Sequence, residues 1–300
     1  MTKIIDIECE HSGAFKTTFE VLKDVLTDVC ILCVGKRKKI EDDGTTTENM
    51  DSNTKEENIS YMRLFQTDAN KTILIDLKLE AKYFKKFYLR KKKHIFSMNI
   101  PNFYKNIKII DKDDYITLIQ DDDEMNYMNI LIKNIDPSKK YTTIKMKLLD
   151  FEEEPRNFED SEVDAKIVMK SQEFHKICRE MNLISEYVDL RCTPKVLIFK
   201  CGGDNADRTS VYGNENDYIN EISFTNKTEM ESNQLVSGIF SLKHLVSFTK
   251  FQSLSTDVEI FMKNDAPLVL RYVLPIGRLI LCITPQGEIE DTFENAEKLY

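Results

Sequence analysis

Four short stretches of the chain carry apolar residues at the spacing of an amphipathic helix. In the first stretch, Phe15, Phe19 and Leu22 fall at positions i, i+4 and i+7, and Leu26 continues the same stripe. Similar stripes recur three more times, always beside polar positions. The pattern predicts helices over Ala14–Asp28, Pro101–Ile109, Gln172–Met181 and Ser241–Phe251.

The predicted helix ends carry their own signals. Pro101 lies in the first turn of the second helix, where a missing N–H costs no hydrogen bond. Ser171 is predicted to be the N-cap of the third helix, because serine oxygen accepts a bond from the first turn.

Most other segments read as strands of five to eight residues. They are rich in Ile, Val, Leu, Tyr and Thr, and Asp, Asn or Gly turns separate many of them. This pattern favours antiparallel meanders. The predicted strands are Asp28–Val34, Thr72–Leu79, Tyr115–Gln120, Met128–Lys133, Thr142–Leu149, Ala165–Met169, Val188–Cys192, Val196–Cys201, Val258–Lys263, Leu268–Leu274 and Leu279–Thr284.

The elements follow the same order in both halves of the chain. Each half opens with a strand and a helix, and later a second helix precedes three strands. We therefore predict an α+β fold of two similar domains, at residues 1–150 and 165–285, each with antiparallel sheets and two amphipathic helices. The acidic, proline-containing segment 151–164 is predicted to be an interdomain linker. Residues 36–58 are predicted to be an inserted polar loop, and residues 286–300 a tail.

Charge changes the picture, because the helices are basic while the chain has a net charge of −9. Basic residues one or two helical turns apart share a face of their helix. They predict a polyanion partner met on one surface only. Glu20 and Asp24 weaken this feature in the first helix. The basic residues are Lys16, Lys23, Lys105, Lys108, Lys176, Arg179, Lys243 and Lys250.

Two classes of protein are disfavoured by composition. No run reaches the roughly 18 apolar residues of a membrane span, and the N-terminus lacks the apolar core of a signal peptide. The seven cysteines are scattered and odd in number, which is typical of reduced, buried thiols. We expect an intracellular protein with no membrane partner.

Candidate catalytic and metal sites are weak. Cys30 and Cys33 lie in an apolar strand without a second pair of zinc ligands, so we expect buried core residues. The acidic runs Asp111–Asp114 and Asp121–Glu124 are more typical of turns than of metal sites. No glycine-rich phosphate loop occurs, and the four histidines do not point to a nucleophile. We predict a non-enzymatic binding protein without catalytic residues, metal or cofactor.

Six segments carry a resemblance to a known family: Glu173–Met181, Phe240–Lys250, Asp265–Tyr272 and Leu279–Pro285 in the second half, and Phe19–Asp24 and Lys145–Asp150 in the first. They resemble the eukaryotic-type DNA sliding clamp, the proliferating cell nuclear antigen family. The first two are similar to helices of that family's second domain and the next two to its last strands. The resemblance spans nearly the whole chain and is more specific in the second half.

The resemblance implies a ring of three two-domain subunits whose helices line a channel. The eight basic helix residues would then face double-stranded DNA through its phosphates, independently of sequence. The implied function is that of a processivity factor, which tethers DNA polymerase and other replication and repair proteins to DNA. A clamp loader is a further implied partner.

The resemblance also implies two protein-binding surfaces. A partner-peptide pocket beside the linker would involve Phe151, Phe158, Pro267 and Pro285, although Arg156 replaces the family's usual aliphatic residue. The homotrimer would form by pairing Tyr141–Leu149 with residues near Asp207–Tyr212, a segment of poor strand propensity. The implied interface residues are Tyr141, Ile144, Met146, Arg208, Ser210 and Tyr212.

Other interpretations stay open. One is a clamp-like processivity or checkpoint subunit that acts as a monomer or hetero-oligomer, and another is a metal-dependent nucleic-acid enzyme built on the Asp clusters. Lys36–Lys39 and Arg90–Lys93 resemble nuclear-import signals, so we expect a nuclear location, or a cytoplasmic replication site if the source is viral. The Ile-, Lys- and Asn-rich composition indicates an AT-rich genome, such as that of a large DNA virus or a protist.

Overall fold

The chain forms two compact units in a computed structural model that describes residues 2–35, 39–40, 46–47, 60–136, 138–139, 141–153, 163–225 and 234–286. Unit one comprises Met1–Lys23, Thr27–Leu64 and Lys78–Pro155. Unit two comprises Asp24–Leu26, Phe65–Leu77 and Arg156–Tyr300. A segment of the first half, residues 65–77, therefore packs with the second.

The first half contains eleven strands and two α-helices in the described residues. The strand that ends at Thr67 and the strand that begins at Ile73 both contribute residues to unit two. In chain order the elements are β1 (Lys3–Cys9), α1 (Ser12–Leu22), β2 (Asp28–Val34), β3 (Lys39–Ile40), β4 (Thr46–Thr47), β5 (Tyr61–Thr67), β6 (Ile73–Glu80), β7 (Lys86–Leu89), β8 (Lys93–Asn99), α2 (Ile100–Ile107), β9 (Asp114–Asp121), β10 (Tyr127–Asn134) and β11 (Thr142–Lys147). Unit one has an antiparallel sheet in the order β11-β10-β9-β1-β7, and β2 lies between β5 and β8.

The second half contains nine strands and two α-helices in the part that the structure describes. They are β12 (Ala165–Lys170), α3 (Ser171–Met181), β13 (Tyr187–Cys192), β14 (Val196–Gly202), β15 (Asp207–Gly213), β16 (Ile219–Phe224), β17 (Val236–Ser241), α4 (Leu242–Ser247), β18 (Asp257–Met262), β19 (Leu268–Leu274) and β20 (Gly277–Ile283). One sheet of unit two has the order β15-β14-β13-β17. The other has the order β16-β12-β18-β19-β20, and β20 is followed by residues 73–77 of β6.

Strand pairing repeats between the two halves. β1 pairs with β7 and β9 as β12 pairs with β16 and β18, and β2 pairs with β5 and β8 as β13 pairs with β14 and β17. Apart from the β3–β4 hairpin, the described residues of each repeat form nine strands, with β6 and β15 both fourth and β11 and β20 both ninth. The predicted α+β fold of two similar domains is confirmed.

Aromatic side chains fill the space beneath each helix pair. In unit one, the Phe103 ring of α2 meets the Phe19 ring of α1 edge-on, with centroids 4.8 Å apart. In unit two, Phe248 at the end of the fourth helix stacks with Phe251, and the Phe251 ring lies 5.7 Å from that of Tyr272. Edge-on and offset contacts of this kind add about 1 kcal/mol to the burial of the rings.

Most predicted strands are present with ends shifted by one or two residues. Asp28–Val34 and Leu268–Leu274 match to the residue. The strands that were not predicted include β7 and β8, which begin with a lysine and have exposed or partly exposed residues at the start, so that their apolar alternation is weak. The strand at Asp207–Gly213 forms despite its poor propensity because β14 pairs with it along its whole length.

Two helix boundaries were predicted wrongly. The first helix was expected to reach Asp28, but α1 ends at Leu22, and Asp28 already begins β2. Leu26 is buried in the turn between them, so its place in the stripe misled the prediction. The fourth helix was expected to be continuous, but α4 stops at Ser247, and a 3₁₀-helix follows at Thr249–Ser253.

The predicted cap of the third helix is also wrong. The N-cap is Lys170, and Ser171 is already inside α3. The Ser171 N–H donates to Thr256 O at 2.9 Å, so the end of the strand feeds directly into the helix and leaves no cap turn. In the second helix, Pro101 does lie in the first turn, and the structure adds an Asn99 cap whose side chain accepts from Asn102 N.

Some predictions lie outside the described residues. They concern most of the 36–58 loop, Arg156 and Phe158 in the linker, and the tail after Gln286. Among the described helices, none combines the length and apolar character that crossing a bilayer requires.

Candidate nucleic-acid interface

Helix α2 is the most strongly basic helix of unit one. Asn99 caps it and Pro101 fixes its first turn, while Ile100, Phe103 and Ile107 face the core. Lys105 and Lys108 are exposed on the other side. No Asp or Glu occurs anywhere between positions 81 and 110, so α2 itself carries no carboxylate.

Helix α1 presents its lysines less freely. The Lys16 Nζ donates to Ile110 O at 2.7 Å, and the Lys23 Nζ lies 5.4 Å from the centre of the Tyr104 ring. Both side chains are half-buried. A lysine held in this way reaches a phosphate only by giving up an internal contact, so α1 contributes less cationic surface than α2.

Helix α3 exposes a cationic pair next to acidic residues. Lys176 and Arg179 are exposed, and the Lys176 Nζ lies 3.6 Å from Glu173 Oε2. The Arg179 guanidinium is 3.5 Å from Gln252 Oε1.

The carboxylates of α3 are bound by strand β15. The Tyr212 hydroxyl donates to Glu173 Oε1 at 2.9 Å, and the Arg208 guanidinium donates to Glu180 Oε2 at 2.6 Å. Burial, together with the bond to Glu173, raises the pKa of Tyr212, so this hydroxyl keeps its proton. The two carboxylates are thereby drawn toward β15 while Lys176 and Arg179 remain exposed.

The last basic pair of unit two is divided between two helical segments. Lys243 lies on α4 and Lys250 on the 3₁₀-helix after it, and both are exposed. No Asp or Glu occurs between positions 233 and 256. The second helix of each repeat thus carries lysines without carboxylates, whereas the first helix carries both.

A buried polar pair supports α3 from below. His175 Nε2 and the Tyr272 hydroxyl are 3.0 Å apart, and the two rings stack with a 12° angle between them. Burial lowers the pKa of His175 to about 3, and the Arg179 charge adds to this shift. His175 is therefore neutral at pH 7 and serves packing rather than phosphate binding.

The implied subunit-interface residues lie on edge strands. β11 is the terminal strand of its sheet in unit one, and β15 is the terminal strand of its sheet in unit two. Tyr141 beside β11 is 66% exposed, and Ile144 and Ser210 are partly exposed. The other three side chains, Met146, Arg208 and Tyr212, face their own unit, so only their backbone is placed to pair with another chain.

Of the four implied peptide-pocket residues, the structure describes Phe151, Pro267 and Pro285. Pro267 and Pro285 lie at the same end of the β19–β20 hairpin, since Leu268 pairs with Ile283. Next to them is an apolar cluster that the sequence pattern did not single out. It consists of Leu74, Val269 and Cys282, with the partly buried Phe65, Phe261 and Ile280 packed against it. Val269 lies directly opposite Cys282 in the hairpin, so their side chains are on the same face of the sheet.

The start of the linker is fastened to unit one. Phe151 is 39% exposed, but its carbonyl accepts a bond from the Ser97 hydroxyl, and Glu153 N donates to the Cys30 sulfur at 3.2 Å. Cys30 thus has a structural contact, and Cys33 is buried as predicted. Burial raises the pKa of the Cys33 thiol, so it stays protonated.

The acidic runs form turns, as predicted. Asp122 is bound by Arg90, and Glu124 by Lys145, both at 2.6 Å. In the part of the chain that the structure describes, no group of His, Cys, Asp or Glu is arranged to hold a metal ion.

Two family models together match most of the chain. The model for "Proliferating cell nuclear antigen, N-terminal domain" matches residues 45–155, and that for "Proliferating cell nuclear antigen, C-terminal domain" matches residues 157–286. The boundary at Pro155 and Arg156 also divides the two units.

Two viral proteins are similar over nearly the whole chain. A "Probable DNA polymerase sliding clamp" of Acanthamoeba polyphaga mimivirus is 26% identical over 298 residues, covering 94% of this chain and 62% of that protein. A "Probable DNA polymerase sliding clamp 1" of Paramecium bursaria Chlorella virus 1 is 28% identical over 289 residues, covering 94% of this chain and 97% of that protein.

The duplicated α+β units, each with a cationic helix pair, define a clamp of the DNA sliding type. The chain belongs to the proliferating cell nuclear antigen family, which confirms the resemblance found in its sequence.

Proposed function

We propose that this protein encircles duplex DNA and tethers a DNA polymerase to it as a non-enzymatic processivity factor. The observation that carries the proposal is the repeated cationic helix pair on a two-unit clamp fold. The relatives are named DNA polymerase sliding clamps, which agrees with this function. Tethering needs no catalytic residue, because retention on DNA comes from enclosure.

Phosphate contacts suit this task. A clamp has to hold DNA and still move along it, so contacts with phosphates serve better than contacts with base edges. Lysine contacts to phosphate are independent of sequence and weaken with salt. We assign the main DNA-facing role to Lys105, Lys108, Lys176, Arg179, Lys243 and Lys250, and a smaller one to Lys16 and Lys23. The net charge of −9 disfavours DNA contact over the acidic parts of the remaining surface.

Charge reversal on the helices tests this function. In the variant Lys105→Glu/Lys108→Glu/Lys243→Glu we expect the length of DNA made per polymerase binding event to fall at least several-fold, since each change adds repulsion. A matched variant, Lys133→Glu/Lys195→Glu/Lys200→Glu, alters the same charge at exposed positions away from the helices. Equal processivity in the two variants would exclude helix-mediated DNA contact.

We also propose that the chain closes a ring by head-to-tail pairing of β11 with β15 of a second copy. The internal repeat supports this arrangement. β20 already pairs with β6, and these are the ninth strand of one repeat and the fourth strand of the other. β11 and β15 are the equivalent strands, and both are sheet edges. A head-to-tail contact that repeats from one copy to the next forms a closed ring when the rotations between successive copies add up to a full turn.

The family resemblance favours three copies, with a mass of about 105 kDa from three chains of 35.0 kDa. Light scattering over a range of concentrations tests this number. A mass of about 105 kDa supports the homotrimer. A mass of 35 kDa at every concentration would favour the alternative of a monomeric or hetero-oligomeric clamp subunit.

We propose that polymerase and other partners insert a short peptide with apolar anchors near Pro267 and Pro285. The cluster of Leu74, Val269 and Cys282 supplies an apolar floor on that face of unit two. Small apolar sites of this kind accept one or two anchors rather than a large surface. A clamp loader would use the same kind of contact.

A labelled peptide carrying two aromatic anchors tests the pocket. Ile280→Glu places a charge beside the cluster, and we expect at least a tenfold loss of peptide affinity. Val273→Glu on the same hairpin is the control, because Val273 is 63% exposed and outside the cluster. Equal affinity of both variants would remove this cluster from the binding site.

The proposed place of action is an intracellular site of DNA replication. Both relatives are viral, and for a viral clamp this site is either the nucleus or a cytoplasmic replication centre. Imaging of a tagged chain together with newly made DNA distinguishes the two.

A further inference from the structure

The segment from position 81 to position 110 is the most basic part of the chain. It contains nine Lys or Arg residues and no Asp or Glu, although acidic residues outnumber basic ones overall by 51 to 42. Two of the nine are Lys105 and Lys108 on α2. The other seven lie on or beside the β7–β8 hairpin, where the proposed channel does not use them.

Four of the hairpin's seven positive charges are paired within unit one. Lys82 pairs with Glu80 at 2.6 Å, and Lys85 pairs with Glu8 at 2.8 Å. Lys86 pairs with the buried carboxylate of Asp6, and Arg90 binds both carboxylate oxygens of Asp122 at 2.6 and 2.7 Å. These four cations have structural partners.

The three lysines at the end of the hairpin are different. Lys91, Lys92 and Lys93 are all exposed, and no ion pair joins them to any residue that the structure describes. We call these three residues the lysine tip. Their adjacency concentrates three positive charges on one short exposed stretch.

The backbone under the lysine tip is held in place. Arg90 N donates to Ile4 O at 3.0 Å, and Gly35 N donates to Lys92 O at 2.9 Å. The two hydrogen bonds from the Arg90 guanidinium to the Asp122 carboxylate attach this segment to unit one a third time. The tip therefore presents three flexible ammonium groups from a fixed turn, which lowers the entropy lost on binding.

The lysine tip and α2 lie at opposite ends of β8. That strand has seven residues, Lys93–Asn99, so its ends are about 20 Å apart at roughly 3.3 Å per residue. At about 3.4 Å per base pair, this distance equals about six steps of duplex DNA. The tip is too far from the start of α2 to contact the same phosphates.

We propose that the lysine tip is a second phosphate-binding site for duplex DNA, outside the set of helices. The proposal rests on the proposed function, which brings duplex DNA close to unit one. The tip has no apolar side chain of its own to enter a lipid layer or hold a peptide anchor. A dense line of phosphates is the polyanion that three adjacent lysines match.

Salt dependence of DNA binding tests the proposal. Fluorescence anisotropy of the full chain with a 40-base-pair duplex, from 50 to 200 mM salt, gives the slope of log affinity against log salt. In Lys91→Ala/Lys92→Ala/Lys93→Ala we expect this slope to fall in magnitude by up to about 2.7, at about 0.9 per phosphate contact. Across that salt range, the wild type would then lose up to about 40-fold more affinity than the variant.

Two further variants make the result specific. Lys91→Arg/Lys92→Arg/Lys93→Arg keeps the charge and should keep the wild-type slope. Lys133→Ala/Lys195→Ala/Lys200→Ala removes the same charge from other exposed positions and should change the slope little. Thermal unfolding of all three variants shows that the fold is kept.

A wild-type slope in the alanine tip variant would overturn the proposal. So would a loss confined to a 40-nucleotide single strand, or to an acidic peptide, with duplex binding unchanged. Failure here is separable from failure of the proposed function, because the helix variants test that function through processivity while the tip stays intact.

Discussion

At the scale of single residues, the structure separates basic residues of similar sequence context by what their side chains already bind. Lys16 and Lys108 both follow the helical pattern, yet one donates to a backbone carbonyl and the other is exposed. Periodicity predicts on which face of a helix a side chain lies. It cannot predict the hydrogen bond from Lys16 to a carbonyl that is 94 residues away along the chain. The sequence therefore predicted which residues form the candidate surface. It did not predict which of them are most available to bind a ligand.

His175 gives a pH dependence that belongs to this scale. Its pKa is about 3 in the folded chain and about 6.5 when unfolded, so the unfolded state binds the proton first as pH falls. Stability contributed by neutral His175 is present above pH 6.5 and is lost as pH drops toward 3, by about 1.4 kcal/mol per pH unit.

The variant His175→Gln keeps a hydrogen-bonding side chain next to Tyr272 but does not titrate. We expect its deficit in unfolding free energy, relative to wild type, to shrink between pH 7 and pH 5. Urea unfolding at three pH values measures this difference, in which the other histidines cancel. A deficit that is constant with pH would mean that His175 is not buried in its neutral form.

At the scale of elements, the helices and central strands were readable from the sequence, while their ends depended on partners. α1 ends before its apolar stripe does, because Leu26 is buried in the turn. Ser171 was predicted to be the N-cap of α3, but its N–H donates a hydrogen bond to Thr256 O. Strand β15 has little intrinsic propensity and forms because β14 pairs with it.

The cap of α2 is a prediction at this scale. The Asn99 side chain accepts from Asn102 N at 2.9 Å, and its amide donates to Asp28 at 2.7 Å. We expect Asn99→Ala to destabilise unit one by about 1 kcal/mol. Asn99→Ser keeps an acceptor oxygen and should recover part of the loss.

Chemical unfolding measures the effect of the cap, with processivity as a second readout because α2 carries Lys105 and Lys108. If Asn99→Ala and Asn99→Ser unfold at the wild-type denaturant concentration, the cap does not hold the helix.

At the scale of the whole molecule, the order of elements predicted the duplication, and the pairing pattern completes it. What could not be predicted is that residues 65–77 of the first half belong to the compact unit of the second. A strand joins whichever neighbour offers a free edge, and sequence order does not say which one that is.

Paired proline substitutions test ring closure at this scale. Thr209 and Ser210 are consecutive on β15, so their N–H groups point to opposite sides, one toward β14 and one outward. We expect one of the two variants, Thr209→Pro or Ser210→Pro, to stay folded but lose assembly. The other should lose stability.

Light scattering and thermal unfolding of the two proline variants give both readouts. Two folded variants that assemble like wild type would exclude β15 from the subunit contact.

The equivalence of the β20–β6 and β11–β15 pairings has a consequence for how such a ring can open. In the proposed ring the two kinds of joint have the same strand architecture, but one kind is spanned by a continuous polypeptide. The β20–β6 pair lies within one polypeptide and inside unit two, so separating these two strands leaves the chain itself unbroken. In the proposed ring we therefore expect a gate for DNA to form where one chain meets the next, and a factor that opens the ring to weaken the pairing of β11 with β15.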